Sequence, residues 1–414
     1  MKQGRELKPH IGIFGKRNKG KSSIINKLAG QSVAIVSETP GTTTDPVKKS
    51  FEITGFGPVI LIDTAGIDDV GELGKQRIEK TLEAIKIIDL GIIVISDNEF
   101  GEFENQIISE FKQFDCPFFI IHNKSDNKQL STELKNKITS EYQTKVIDYS
   151  AINSQNSDEI VDLIKKTIPE SSYKNPSLLG DLISYGDIVL LITPIDIEAP
   201  AGRMILPQIQ TIRDILDNDA VAIVLKEREL DSFLKKTGIK PALVITDSQI
   251  FKKADASIPK DIPMTGFSVV LARLKGDFNK YLEGTPKISQ LKDGDKILML
   301  ESCTHHVSCD DIGRVKIPRW ISNFTGKNLI FDVVSGLDKL ERNIEEYALV
   351  VQCGGCMITH KQLQNRLKGA VGKNIPVTNY GMTIAYVQGI YDRAIAPFVK
   401  NKPGDIQSDY LKFK

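Results

Sequence analysis

Two groups of residues in this 414-residue chain have the types and spacing that chemistry requires. The first is GKRNKGKSS, residues 15–23. Gly15 and Gly20 flank four residues and are followed by Lys21 and Ser22. Glycines at those positions let backbone N–H groups approach phosphate oxygens. Lys21 reaches the β- and γ-phosphates, and the Ser22 hydroxyl ligates magnesium. Gly15, Asn18, Lys19, Gly20, Lys21, Ser22 and Ser23 therefore form a candidate phosphate cradle. The second group is rich in sulfur and imidazole: Cys303, His305, His306 and Cys309, then Cys353-Gly-Gly-Cys356.

Three further motifs follow the cradle in order. VILIDTAG ends at Asp63 and Gly66, where a carboxylate can hold magnesium through water and a backbone N–H can meet the γ-phosphate. FFIIHNKSD ends at Asn123, Lys124 and Asp126. A carboxylate at Asp126 accepts from guanine N1–H and the 2-amino group, donors that adenine lacks, so adenine would leave it unpaired. VIDYSA puts Ser150 and Ala151 where a backbone N–H can read guanine O6. The chemistry this implies is GTP binding and hydrolysis, with Lys21, Asp63 and Gly66 at the reacting phosphate.

The elements that must position these residues are short apolar runs, each ending at a motif: HIGIFG before the cradle, VILID, FFIIHN and VIDYS. Strand, glycine loop and helix is the context a phosphate-binding loop needs. After Pro169 a polar stretch, ESSYKNPSLLGD, reads as a linker. Beyond it, strand-like runs alternate with helical patterns twice more. The expected class is α/β, with three domains: a P-loop GTPase fold over 1–173 and two smaller parallel-sheet α/β domains over 174–263 and 264–414. The middle one carries no nucleotide fingerprint and reads as a scaffold or dimerisation unit. In the last one, FSVVLARLKG reads as a strand leading into a helix, while Cys303 and Cys353 each follow a strand. Ligands of parallel sheets lie beyond the carboxyl ends of the strands, so these cysteines could converge if their strands are neighbours.

Composition narrows the class. A hydrophobic share of 41% and a charged share of 26% describe an ordinary globular chain. A net charge of +1 gives no reason to expect nucleic acid. No apolar run of about 18 residues is present, so no membrane span is expected, and a cytoplasmic location follows as the default. Five cysteines, four of them after residue 300, suit a metal site better than a disulfide framework. Cys303, Cys353 and Cys356 with His305 would make a Cys3His zinc site. The same thiolates would equally hold a four-iron, four-sulfur (4Fe-4S) cluster through three irons. The Gly354-Gly355 spacer favours close approach of a bulky group.

The first domain resembles the potassium-activated GTPases related to the tRNA-modifying enzyme MnmE. The resemblance rests on Asn18 in the cradle and on ETPGTTTDP, where Thr43 matches a magnesium-ligating switch threonine. It implies that Asn18 helps to hold a K+ ion, since DTAGIDD offers Ile67 rather than a water-orienting glutamine. Thr44 stands where an arginine is common in that group.

The whole chain, with CTHH, DDIGRVKIPRW and the later Cys-x-x-Cys, resembles the HydF family, the iron–iron hydrogenase maturation GTPases. That resemblance implies cluster ligation by Cys303, Cys353 and Cys356, a di-iron precursor as cargo, and a homodimer. The partners it implies are two radical-SAM maturases and the apo-hydrogenase. Gln352 stands where the family usually has histidine, which leaves His305, His306, Asp310, Asp311, Cys309, water or an exogenous ligand for the fourth iron. Trp320 with Arg314, Lys316 and Arg319 is a candidate contact surface for an anionic precursor. The rival reading is a GTPase with a structural zinc module acting in tRNA modification or ribosome assembly.

Overall fold

The computed structural model describes residues 8–29, 33–39, 47–53, 56–64, 81–153, 157–169, 177–194, 204–302, 311–336, 340, 342–356 and 358–399. The chain divides into two compact units, 1–175 and 176–414.

The strands of the first unit are β1 (His10–Phe14), β2 (Val33–Thr39), β3 (Val47–Ile53), β4 (Gly57–Asp63), β5 (Leu90–Ser96), β6 (Phe118–Asn123) and β7 (Val146–Asp148). They make one sheet in the order β2-β3-β4-β1-β5-β6-β7. β2, β3 and β4 pair antiparallel, and the rest of the sheet is parallel. β1 and β5 are buried along their whole length. Helices cover both faces of the sheet, so these strands, HIGIF and LGIIVIS, read as near-continuous apolar runs rather than as polar–apolar alternation. Ile11, Ile13 and Val94 pack with Ile160 and Ile164 of the helix Ser157–Thr167 on one face. Phe14, Ile93 and Ile95 pack with Ile107 and Phe111 of the helix Glu102–Gln113 on the other. This sheet, with the phosphate-binding loop between β1 and the helix Lys21–Ala29, is the expected P-loop GTPase fold.

The second unit holds two all-parallel sheets. The first has β8 (Ile188–Ile192), β9 (Val221–Leu225), β10 (Leu243–Thr246) and β11 (Met264–Gly266), in the order β11-β10-β8-β9. The second has β12 (Lys296–Glu301), β13 (Ile330–Ser335), β14 (Leu349–Gln352) and β15 (Val377–Asn379), in the order β13-β12-β14-β15. One continuous apolar core runs through both, from Leu190 and Val244 to Leu298 and Val350.

Two sequence expectations move. The first of these sheets takes its fourth strand from 264–266, so it runs past the boundary placed at 263. FSVV is not a strand: Gly266 is an extended N-cap (φ −120°, ψ 151°), and Phe267–Lys275 is a helix. Phe267, Val269, Val270, Leu271 and Ala272 are all buried, and a helix enclosed on most sides shows the same short apolar run as a core strand.

Candidate functional site

The phosphate-binding loop leaves β1 at Gly15, whose φ is +150°. A Cβ there would lie 2.4 Å from the Val94 carbonyl oxygen, so the close approach of the loop to β5 requires glycine. Gly20 (φ +89°) is equally constrained: a Cβ would lie 2.2 Å from Asn123 Nδ2. That amide donates to the Lys19 carbonyl at 2.9 Å and ties the loop to the end of β6. Asn18 is exposed in the left-handed region at φ 60°. Lys21 is buried, and its ammonium bridges the carbonyls of Gly15 (2.7 Å) and Lys16 (3.0 Å). It is thereby held over the loop's concave side at the N-terminus of the helix Lys21–Ala29.

Ser22 Oγ donates to Asp63 Oδ2 at 3.1 Å, so the two expected magnesium residues meet at the ends of neighbouring elements. Asp63 Oδ1 is buried with no hydrogen-bond partner among the described residues, and burial holds the carboxyl above its ordinary pKa. An orphaned buried oxygen beside a serine hydroxyl fits a hard cation, which takes oxygen ligands. Ser23 is exposed on the same turn.

At the base-reading end, Ser150 Oγ donates to Asp126 Oδ1 at 2.5 Å. The expected role of Ser150 was its backbone; its side chain also fixes the carboxylate meant for guanine. Lys124 adopts φ 63°, and Ala151 is half-buried after β7. Lys19 extends to Glu99 Oε2 (2.5 Å) and Asp97 Oδ2 (3.5 Å), acidic partners that local sequence does not reveal. His122 is structural: Nδ1 meets Asp148 Oδ1 at 2.7 Å, and Nε2 accepts from the Asn98 N–H. Thr43 and Gly66 lie outside the described residues.

In the second unit, β12 and β14 are direct neighbours, with Leu300 paired to Gln352. Their carboxyl ends therefore meet, which is the condition that convergence of the cysteines required. The Cys353 N–H donates to the Leu300 carbonyl at 2.9 Å, and the Ser302 N–H donates to Cys353 Sγ at 3.1 Å. Cys353 Sγ and Ser302 Oγ are 2.9 Å apart. Gln352 is fully buried, and its Nε2 donates to Ser302 Oγ and to the Cys353 carbonyl, both at 3.1 Å. The turn to Cys356 passes through Gly355 at φ +68°, where a Cβ would lie 2.6 Å from Leu363 Cδ1. The buried Lys275 spans this turn, donating to the carbonyls of Gly355 (2.9 Å) and Ile358 (3.0 Å).

Cys303 and His305 lie outside the described residues, as do His306, Cys309 and Asp310. Among the described residues no three His, Cys, Asp or Glu side chains gather as a metal site. Two half-buried thiols outside any disulfide at a strand end, one accepting a backbone N–H, are a donor set that suits a soft metal. The basic surface expected at 314–320 is corrected. Arg314 Nε and Nη2 both donate to Glu301 Oε2 (3.0 and 2.8 Å), and Nη2 also donates to Ser335 Oγ, while Lys316 donates to Gln249. Arg314 and Lys316 are thus engaged within the fold.

Comparison with known proteins matches three stretches of the chain. Residues 10–124 match the model of the 50S ribosome-binding GTPase family. Residues 178–276 match the Hydrogen maturase F dimerization domain, and 279–397 its tetramerization domain. Among curated proteins, a tRNA modification GTPase MnmE from Clostridioides difficile is 33% identical over 171 residues, 40% of this chain and 36% of that protein. A GTPase Der from Wolinella succinogenes is 30% identical over 176 residues, 40% of this chain and 37% of that one. The chain thus spans little more than a third of these relatives. The solved structure of an Era variant from Aquifex aeolicus bound to GDP and AlF4− is 21% identical. It covers 55% of this chain and 98% of that one at a TM-score of 0.34, a likeness that adds nothing to the strand order. No described helix is long and apolar enough to cross a membrane.

Proposed function

The chain belongs to the hydrogen maturase F family, and from that premise we propose that it is a GTP-hydrolysing scaffold for metal-cluster assembly. It holds a 4Fe-4S cluster on Cys303, Cys353 and Cys356 and carries a di-iron precursor to an iron–iron hydrogenase that lacks it. The observation that carries the metal half is the pairing of β12 with β14. It sets Ser302, the residue before Cys303 in the chain, against the sulfur of Cys353. A bound cluster would supply an iron to which the precursor attaches. The protein's own part is to hold the thiolates: Ser302 N–H and Gln352 Nε2 surround Cys353, and Lys275 clamps the turn that carries Cys356.

In the first unit the loop N–H groups and Lys21 bind the phosphates, and Ser22 with Asp63 would hold magnesium, which neutralises charge on the transferred phosphoryl. Asp126, pinned by Ser150, selects guanine. Asn18 is the residue we assign to a potassium ion that promotes hydrolysis. Nucleotide state acts by differential binding of partners, here the two radical-SAM maturases and the apo-hydrogenase, rather than on the iron chemistry itself. Two apolar patches support a homodimer built on the first sheet of the second unit. Val221 and Val224 are exposed on its edge strand β9, and Ile209 and Leu216 on the helix Leu206–Asp217. An open edge of that kind invites a second copy.

The test is metal content. Chain isolated without oxygen should be brown and contain iron, and Cys353→Ala or Cys356→Ala should lose it. A colourless chain with about one zinc would refute the cluster and favour a structural zinc module in an RNA-directed GTPase.

A further inference from the structure

The connection from β5 to the helix Glu102–Gln113 touches both ends of the nucleotide site without belonging to either of its motifs. Asp97 and Asn98 follow β5 in succession, and both lie in the left-handed region, at φ 63° and 59°. Glycine would adopt these angles without strain. Other residues hold them only where their surroundings over-determine the backbone, and such strain gathers at functional sites. Here the chain has Asp and Asn instead of glycine, and both side chains are engaged, in two directions.

One direction leads to the phosphate cradle. Lys19 precedes Gly20, and its carbonyl accepts from Asn123. Its ammonium meets Glu99 Oε2 at 2.5 Å, and Asp97 Oδ2 and the Ser96 carbonyl at 3.5 Å. Lys16, earlier in the cradle, lies 4.0 Å from Glu104 in the first turn of the helix that follows. The other direction leads to the base-reading turn. Asn98 Nδ2 donates to the Gln129 carbonyl at 3.0 Å, and Asn98 Oδ1 accepts from the Ser131 N–H at 2.8 Å. Lys128 Nζ donates to the Asp97 carbonyl at 3.1 Å. Underneath, the Asn98 N–H donates to His122 Nε2 at 3.2 Å, so the ring proton sits on Nδ1 and is donated to Asp148 Oδ1. Asp148 Oδ2 accepts from the Leu130 N–H at 3.2 Å and closes the brace. Residues 128–131, gripped in this way, continue from a turn in which the Lys128 N–H donates to the Lys124 carbonyl. That turn carries Asp126.

We propose that loop 97–99 is a strut that couples the phosphate cradle to the guanine-reading turn, with Asn98 the positioning residue for base selectivity and Lys19 its anchor on the cradle. It acts through Lys19 and through the 124–131 segment, not by touching the nucleotide. This rests on the reading of the first unit as a GTP site. Coupling means that releasing one end slackens the hold on the other, so phosphate binding and base discrimination are set together.

The test uses the full chain and equilibrium titration with GDP and with IDP, which lacks the 2-amino group. Asn98→Gly keeps the left-handed backbone unstrained and removes only the side-chain ties. It should weaken GDP binding about fivefold and IDP binding less, so that the preference narrows, and it should raise KM for GTP more than it lowers kcat. Lys19→Met should weaken both nucleotides by one common factor, and that loss should shrink in about 1 M salt, where exposed ion pairs are screened. The double variant should lose less than the product of the two single losses. A GDP-to-IDP ratio unchanged in Asn98→Gly, or a double variant that equals the product, overturns the strut and leaves the nucleotide site standing. An unmodified chain that binds no GDP overturns the nucleotide site and the strut together.

Discussion

Lys275 offers the sharpest test of how the cysteine turn is held. The residue is 6% exposed, and its ammonium donates to the carbonyls of Gly355 and Ile358, on the turn that carries Cys356. Lys275→Met keeps the length and most of the volume of the side chain and removes the charge and both donors. Each bond from a charged donor contributes about 1.5–3 kcal/mol, and each orphaned carbonyl costs on the order of 1–3 kcal/mol. Against this, the variant no longer takes an ammonium out of water, a penalty of several kcal/mol. The balance is a loss of about 2–4 kcal/mol. For a unit of this size, each kcal/mol lowers Tm by roughly 2–4 °C, which gives a drop of about 4–16 °C. The assay is calorimetry of the full chain. The 176–414 unit should melt earlier, while the GTPase unit, distinguished by its shift on adding GDP, should not move. Alkylation of Cys353 and Cys356 should also quicken as the turn loosens. A Tm change under about 2 °C with unaltered thiol reactivity would refute the clamp.

Four other outcomes follow. Asn123→Ala removes the tether to the Lys19 carbonyl and should weaken GDP and GTP binding about tenfold by equilibrium titration, since one net hydrogen bond is worth roughly 1 kcal/mol or a little more. Ser150→Ala frees the Asp126 carboxylate and should narrow the preference for GDP over IDP, which lacks the 2-amino group; an unchanged ratio counts against the guanine assignment. Hydrolysis should be faster in potassium than in sodium, and Asn18→Ala should erase the difference. Asp63→Asn should abolish hydrolysis yet stabilise the metal-free first unit at neutral pH. Burial raises the carboxyl's pKa, so its stabilising contribution is full below the unfolded pKa and fades as pH rises through the folded one; the gain in the variant should therefore vanish in acid.

What sequence could show divides along physical lines. The phosphate cradle was legible because its work is done by consecutive backbone groups, and Gly15, Gly20 and Lys21 announce that geometry locally. The Asn123 tether was not, because it joins residues 104 apart and depends on β1, β5 and β6 being neighbours. The cysteine region shows the same limit. Cys353 and Cys356 stand out in any reading, but their surroundings come from strand order: β14 sits beside β12 while β13, which lies between them in sequence, takes the outer edge. Ser302 and Lys275 enter only through that order. Lys275 was hidden further by the FSVV run, whose strand-like composition conceals a buried helix. The basic stretch around Arg314 misled for the opposite reason. Its partner, Glu301, closes β12 and is invisible until the sheet is built.

Residue 352 ties these strands of argument together. It is the last residue of β14, fully buried and paired to Leu300, so whatever stands there faces the end of β12. A glutamine in that place is a donor: Nε2 reaches Ser302 Oγ, the Cys353 carbonyl and, at 3.5 Å, Cys353 Sγ. Ser302 in turn contacts the same sulfur through both its N–H and its hydroxyl. The amide therefore belongs to a network that orients one thiol. Its own Oε1 is left without a partner among the described residues. In this protein the strand end is committed to presenting Cys353.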